Sequence, residues 1–223
     1  MTRPLLVLRP EPGASTTVAA AHALGLRAIA APLFIIQPLD WALPERMPEA
    51  VLMTSANAAR LAGPALDRLI DLPLYAVGEA TAAAARDRGF TQIIAGEGGI
   101  DAIVARAAAD GVGRLLHLAG REHRVPAEDA PIVEQRIVYA ADAVSTLPAA
   151  AAHVLPDAVA LLHSPRAAAL FATLVDRCAV RIAAISPAAR AAAGHGWREM
   201  AVADRPTDAS LLAAAAKLCN HGA

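Results

Sequence analysis

The chain has 223 residues, 20 Lys and Arg against 21 Asp and Glu, a formal net charge of −1 and a pI near 6.7. That length supports one large domain or two small ones, and the charge excludes the basic stripe of a nucleic-acid binder. Hydrophobic residues make up 56% and aromatics only 3%, so the cores must be built from Ala, Val, Leu and Ile.

Taken in chain order, Leu5–Leu8 reads as a strand, because only four apolar residues precede Arg9 and a signal peptide needs more. Ser15–Leu24 reads as a helix ending before Gly25, Arg27–Ala30 as a strand, and Leu33–Pro38 as an extended segment. Ala50–Met53 is a strand followed by a helix over Ser55–Leu69. Leu74–Val77 is a strand, Glu79–Arg88 a helix closed by Gly89, and Thr91–Ala95 a strand. Asp101–Ala109 is a helix that begins at its own Asp cap, and Leu115–Leu118 and Ile137–Tyr139 are strands around the loop-like stretch Gly120–Arg136. Short strands alternating with helices of about ten residues predict an α/β fold with parallel sheets and crossover helices.

The richest apolar stretch, Ala140–Leu162, is cut by Asp142, Pro148, Pro156 and Asp157, so no membrane helix is expected. Cys178 and Cys219 fit no metal or redox spacing and read as free thiols of a reducing cytoplasm. Of the histidines, His117 and His163 fall in or at the end of apolar strands, while His22, His153, His195 and His221 are scattered. No metal-ligand spacing occurs. Arg9–Gly13 lacks a G-x-G-x-x-G pattern, so no dinucleotide, metal or other cofactor is expected.

The order of elements then recurs. Val51–Ala59 aligns with Ala160–Ala168, Tyr75–Ala82 with Ala183–Arg190, and Gly89-Phe90 with Gly196-Trp197. Leu5–Leu8 pairs with Leu115–Leu118, and the helix Asp101–Ala109 with Asp208–Leu218. A shared offset of this kind predicts two similar α/β units. In such sheets ligands sit beyond the carboxyl ends of the strands. Thr54-Ser55, Gly78-Glu79, Ser164-Pro165-Arg166 and Ser186-Pro187 all fall at such ends, where a helix begins. A helix start offers unpaired N–H groups and the positive end of the dipole, which suits carboxylates or phosphates. Capping alone also accounts for a serine at Ser55, Ser164 and Ser186.

Thr54–Ala58 resembles the T-S-x-N-A element of uroporphyrinogen-III synthases, and Tyr75–Ala82 is similar to their V-G-x-x-T-A element. Val138-Tyr139, Ser164–Ala168, Pro206-Thr207 and Arg9-Pro10 with Gly13 resemble four further elements, in order from Leu5 to about Leu218. Leu8 departs from the Thr common before the Arg, and Gly120–Arg136, with Pro126 and Pro131, departs in its loop.

The resemblance implies two similar α/β lobes joined by two extended crossings near Pro32, Pro38 and Ala140–Ala143. Lobe one would be residues 1–36 with 142–223 and lobe two 37–141, with an active-site cleft between them. It implies a cofactor-free enzyme that cyclises hydroxymethylbilane, a linear tetrapyrrole, with loss of water and inversion of ring D. Catalysis would be mostly positioning. Tyr139 would assist the departing hydroxyl, or else only pack its ring at the strand end with its hydroxyl in water; Arg9 and Arg166 would meet carboxylate arms, or else be solvated surface arginines, the reading preferred for Arg121. Thr54, Ser55, Asn57, Gly78, Thr81, Ser164, Pro165, Ser186 and Thr207 would complete substrate binding. No nucleic-acid or membrane partner is expected; the chain should be a monomer, with transient contact with hydroxymethylbilane synthase open. The same pattern leaves two other readings open, a two-lobed small-molecule receptor or an inert tetrapyrrole-binding relative.

Overall fold

The computed structural model describes residues 3–127 and 131–220; His221 lies outside them, as do residues 128–130 of the Gly120–Arg136 stretch. The chain folds as mixed α/β with two sheets. By contacts it divides into two compact units, Met1–Ile35 with Asp142–Ala223, and Ile36–Ala141.

The first unit contains β1 (Leu5–Val7), α1 (Gly13–Ala23), β2 (Ala28–Ala30), α5 (Ala149–Val154), β9 (Val159–Leu162), α6 (Pro165–Leu174), β10 (Arg181–Ala184), α7 (Pro187–Ala193), β11 (Glu199–Val202) and α8 (Asp208–Asn220). Its strands run in the order β11-β10-β9-β1-β2, all paired parallel. β1, β9 and β10 are buried at every position. Helices cover both faces of such a sheet, so its strands read as unbroken apolar runs rather than alternating ones. Leu5, Val7, Val159, Leu161 and Ala183 pack against Leu211, Leu212, Ala215 and Leu218 of α8 and Ala14 and Ala21 of α1. In this aromatic-poor chain Phe171 is the largest fully buried side chain, stacked on Trp197 with ring centroids 5.8 Å apart.

The second sheet comprises β3 (Phe34–Pro38), β4 (Ala50–Met53), β5 (Leu74–Val77), β6 (Ile93–Gly96), β7 (Arg114–Gly120) and β8 (Ile132–Ala143), in the order β3-β8-β7-β4-β5-β6. Its helices are α2 (Ala56–Leu61), α3 (Glu79–Asp87) and α4 (Gly99–Ala109). Val51, Met53, Leu116 and Leu118 face α2 and α3, whereas Ala50, Leu52 and Leu115 face Ile100, Ile103, Val104 and Ala107 of α4. The internal repeat is visible in strand order, because β6-β5-β4-β7-β8 follows the same path as β11-β10-β9-β1-β2. It is visible in register too: Leu5 lies beside Val159 as Leu115 lies beside Ala50.

Three elements differ from the sequence reading. The helix expected over Ser55–Leu69 stops at Leu61, because Gly63 turns at φ +68° and Pro64 opens a separate 3-10 turn. Glycine alone adopts that backbone cheaply, and the proline lacks the N–H a continuing helix would use. α4 starts at Gly99, so Asp101 sits in its first turn rather than at its cap. There its carboxylate accepts from Arg124 and from the Ala127 N–H. β8 begins at Ile132, five residues before the expected Ile137. Among the described residues no helix is long and apolar enough to cross a membrane.

Candidate active site

In the first unit the carboxyl ends of β1, β9 and β10 are neighbours, which places Arg9, His163-Ser164 and Ser186 along one sheet edge. Ser164 caps α6, its hydroxyl accepting from the Ala167 N–H at 3.1 Å, with Pro165 at the first helical position. Ser186 caps α7 in the same way through Ala189 at 3.2 Å. Thr207 accepts from the Ser210 N–H at 3.3 Å at the start of α8. Each of these oxygens already satisfies a donor of its own helix, leaving the neighbouring backbone N–H groups to meet an anion.

Arg9 is not a solitary cation. Its Nη1 donates to Asp208 Oδ1 at 3.3 Å and to Thr17 Oγ1 at 3.4 Å, while the Thr17 hydroxyl donates to Asp208 Oδ2 at 2.6 Å. The guanidinium lies across Gly13, where a Cβ would come within 2.5 Å of Nε, so any side chain there would displace it. His163 Nε2 donates to the same Asp208 carboxylate at 2.9 Å. Burial, followed by the charge of Arg9, pushes the His163 pKa below its usual value, and Asp208 opposes that only partly. Arg166 stacks its guanidinium 4.4 Å above the Phe34 ring, a cation–π contact that orients it.

In the second unit the ends of β5, β4 and β7 are adjacent and carry Gly78, Thr54-Ser55 and Gly120. Ser55 caps α2 by accepting from the Asn57 N–H at 3.2 Å, and Asn57 Oδ1 accepts weakly from Arg60 at 3.5 Å. Gly78 precedes α3 at φ +81°, ψ 155°, a backbone closed to other residues without strain. Thr81 is only 4% exposed and lies on the inner face of α3.

Tyr139 is half-buried within β8, which runs on to Ala143, and lies opposite Gly120, the last residue of β7, across a bulge. Its ring lies over that glycine so closely that a Cβ would meet Cζ at 2.5 Å and the hydroxyl oxygen at 2.7 Å. Gly120 therefore exists to admit the ring. The chain locks it there, because the Arg121 N–H donates to the Tyr139 carbonyl at 2.9 Å.

Residues 15–213 match the family model described as "Uroporphyrinogen-III synthase HemD". The chain belongs to the uroporphyrinogen-III synthase family. Among solved structures it resembles the uroporphyrinogen-III synthetase of Helicobacter pylori 26695, with a TM-score of 0.68, 16% identity, and 97% of this chain and 99% of that one covered. It also matches a mutant uroporphyrinogen III synthase of Thermus thermophilus at a TM-score of 0.47 and 15% identity, with 94% and 96% covered. A sequence comparison with curated proteins gives no match.

For this family member the strand-end residues thus fall into two rows, Arg9, Ser164, Pro165, Arg166, Ser186 and Thr207 on one sheet edge, and Thr54, Ser55, Asn57, Gly78 and Tyr139 on the other. Sequence reasoning missed what stands behind them: Asp208 and Thr17 holding Arg9, and His117 behind Thr54, 3.3 Å from its hydroxyl. Asp208 read only as the first residue of the last helix, and its partner Arg9 lies 199 residues away. Ser164→Ala removes a cap and should cost about 1 kcal/mol of stability, read from the denaturant midpoint. Ser164→Asp should retain that stability.

Proposed function

We propose that this chain is a working uroporphyrinogen-III synthase, a cyclising hydro-lyase acting on hydroxymethylbilane in the cytoplasm without a cofactor. The observation that carries this reading is the family match over residues 15–213, within which fall all the strand-end residues named above except Arg9. The free thiols Cys178 and Cys219 support a reducing compartment.

In the reaction, the hydroxyl on the ring A methylene leaves as water after taking a proton, giving an electrophilic azafulvene. The ring D carbon already bearing the chain attacks it and forms a spiro intermediate. Breaking the original bond to ring D and rejoining at that ring's other α-carbon inverts the ring, and loss of the proton there restores the pyrrole. The net change is loss of one water.

The bilane carries acetate and propionate arms. Arg9, Arg166 and the helix starts at Ser55, Glu79, Pro165 and Pro187 are the groups of this chain suited to hold them. Tyr139 is the proton donor to the departing hydroxyl: its phenol O–H is a hydrogen-bond donor as well as an acceptor. Its hydroxyl makes no hydrogen bond with the described residues and is available to substrate. Holding the folded bilane matters more than proton transfer, because the unassisted reaction closes the ring without inversion.

The test supplies hydroxymethylbilane in situ from porphobilinogen and its synthase, oxidises the products and separates the porphyrin isomers. A dominant type III isomer is expected. Type I alone from folded protein would overturn the assignment.

A further inference from the structure

Behind Thr54 lies a chain of polar groups that the reaction has not used. His117, fully buried in the middle of β7, places Nε2 3.3 Å from Thr54 Oγ1. Its Nδ1 is 3.3 Å from the Gln135 side-chain nitrogen, which also contacts His123 Nε2. His123 Nδ1 in turn lies 2.8 Å from the Gly120 carbonyl oxygen. The two rings meet edge-on, with centroids 5.8 Å apart.

A neutral imidazole carries one proton, and a carbonyl can only accept. The Gly120 carbonyl therefore puts the His123 proton on Nδ1 and leaves Nε2 as an acceptor. Gln135 must then turn its NH₂, not its oxygen, toward His123. The second hydrogen of that NH₂ meets His117 Nδ1, which becomes an acceptor as well. The His117 proton is left on Nε2, where it donates to Thr54 Oγ1. One backbone carbonyl thus sets every proton in the chain. Thr54 ends as an acceptor on its buried side, and its own proton must go to a partner on its exposed side.

We propose that Gln135 and His117 are positioning residues: through the His117 Nε2–H they fix the half-exposed Thr54 hydroxyl as a hydrogen-bond donor to a substrate carboxylate. Burial agrees with this, because desolvation lowers the His117 pKa to about 4 and keeps the ring neutral at working pH. A protonated His117 would donate from both nitrogens and could not accept from Gln135. The arrangement discriminates: a hydroxyl that already accepts from His117 has its own proton left to give, which an anionic arm can accept and a donor such as an amide NH₂ cannot. The carboxylate half of this inference rests on the proposed function above; the proton order does not.

Two measurements test it. Long-range ¹⁵N–¹H correlation spectra of the free wild-type protein at pH 7 read both tautomers directly. His117 protonated on Nε2 and His123 on Nδ1 are expected, and the opposite tautomer on either ring would overturn the relay. Steady-state kinetics then compare Thr54→Val in the wild-type and Gln135→Leu backgrounds. In the first, KM should rise about tenfold with kcat little changed, as for loss of one charge-assisted hydrogen bond. In the second, the further rise should be no more than about twofold, since the hydroxyl is no longer directed. Equal losses in both backgrounds would show that Gln135 does not act through Thr54. If no type III product forms at all, the proposed function falls with the carboxylate assignment, and the tautomers alone decide the proton order.

Discussion

Tyr139→Phe should lower kcat for type III formation by about 10²-fold or more, the usual worth of general acid catalysis, with a smaller effect on KM. The substitution removes one oxygen and keeps the ring, so the packing over Gly120 survives. The phenol sits within β8, over the carboxyl end of β7, and carries no hydrogen bond to the described residues, so its loss leaves no buried partner unsatisfied. Stability should therefore stay within about 0.5 kcal/mol of wild type, which separates a chemical defect from a folding one. The isomer ratio adds a second readout. With departure of the hydroxyl slowed, released bilane closes without assistance, and the type I share should rise in proportion to the lost rate. A variant with undiminished kcat and an unchanged isomer ratio would remove Tyr139 from the proton-transfer step. Gly120→Ala makes a useful companion, because its Cβ must push the ring aside while leaving the phenol intact. It should lower kcat in the same direction, through misplacement rather than loss of the proton.

The α/β character of this chain was legible because its strands are buried on both faces: Val51–Met53 and Val159–Leu162 need no alternation to be recognised. Capping serines marked three of the helix starts for the same local reason, since Ser55, Ser164 and Ser186 bond donors two or three residues away. Elements failed where a local signal was outweighed. Gly63-Pro64 ended α2, but the apolar periodicity on either side suggested continuity. The first half of β8 reads as a loop because Glu134, Gln135 and Arg136 are polar, yet all three are only half-exposed in the sheet. That misreading hid the relay as well. His117 faces Gln135 only through the pairing register of β7 with β8, and a one-residue slip would turn the two apart. No spacing within either strand encodes that register. Asp208 presents the same difficulty in the other unit: locally it is only the first residue of α8, whereas its hold on Arg9 and His163 comes from strands and a helix far apart in the chain.

The protein should lose stability steeply between pH 6 and pH 5, before most carboxylates titrate. His117 is fully buried, and its pKa in the folded state falls from 6.5 to about 4 through desolvation, with the neighbouring His123 adding to it. In the unfolded chain the ring takes up a proton near pH 6.5, so below that value the unfolded state binds more protons and stability declines as pH falls. Between pH 6 and 5 the slope should approach about 1.4 kcal/mol per pH unit, and the total reaches about 3 kcal/mol by pH 4. His163, lowered in the same direction, adds to the slope. Carboxylates with ordinary pKa values near 4 contribute little in that window, so a histidine signature stands apart from general acid unfolding. Urea midpoints at pH 7, 6 and 5 measure it directly. His117→Gln keeps a neutral polar group but cannot titrate, and it should be less stable than wild type at pH 7 while losing less on acidification. If the two proteins lose stability in parallel from pH 7 to pH 5, His117 is not the group that titrates, and the neutral ring required for its donation to Thr54 would have to be held by something other than burial.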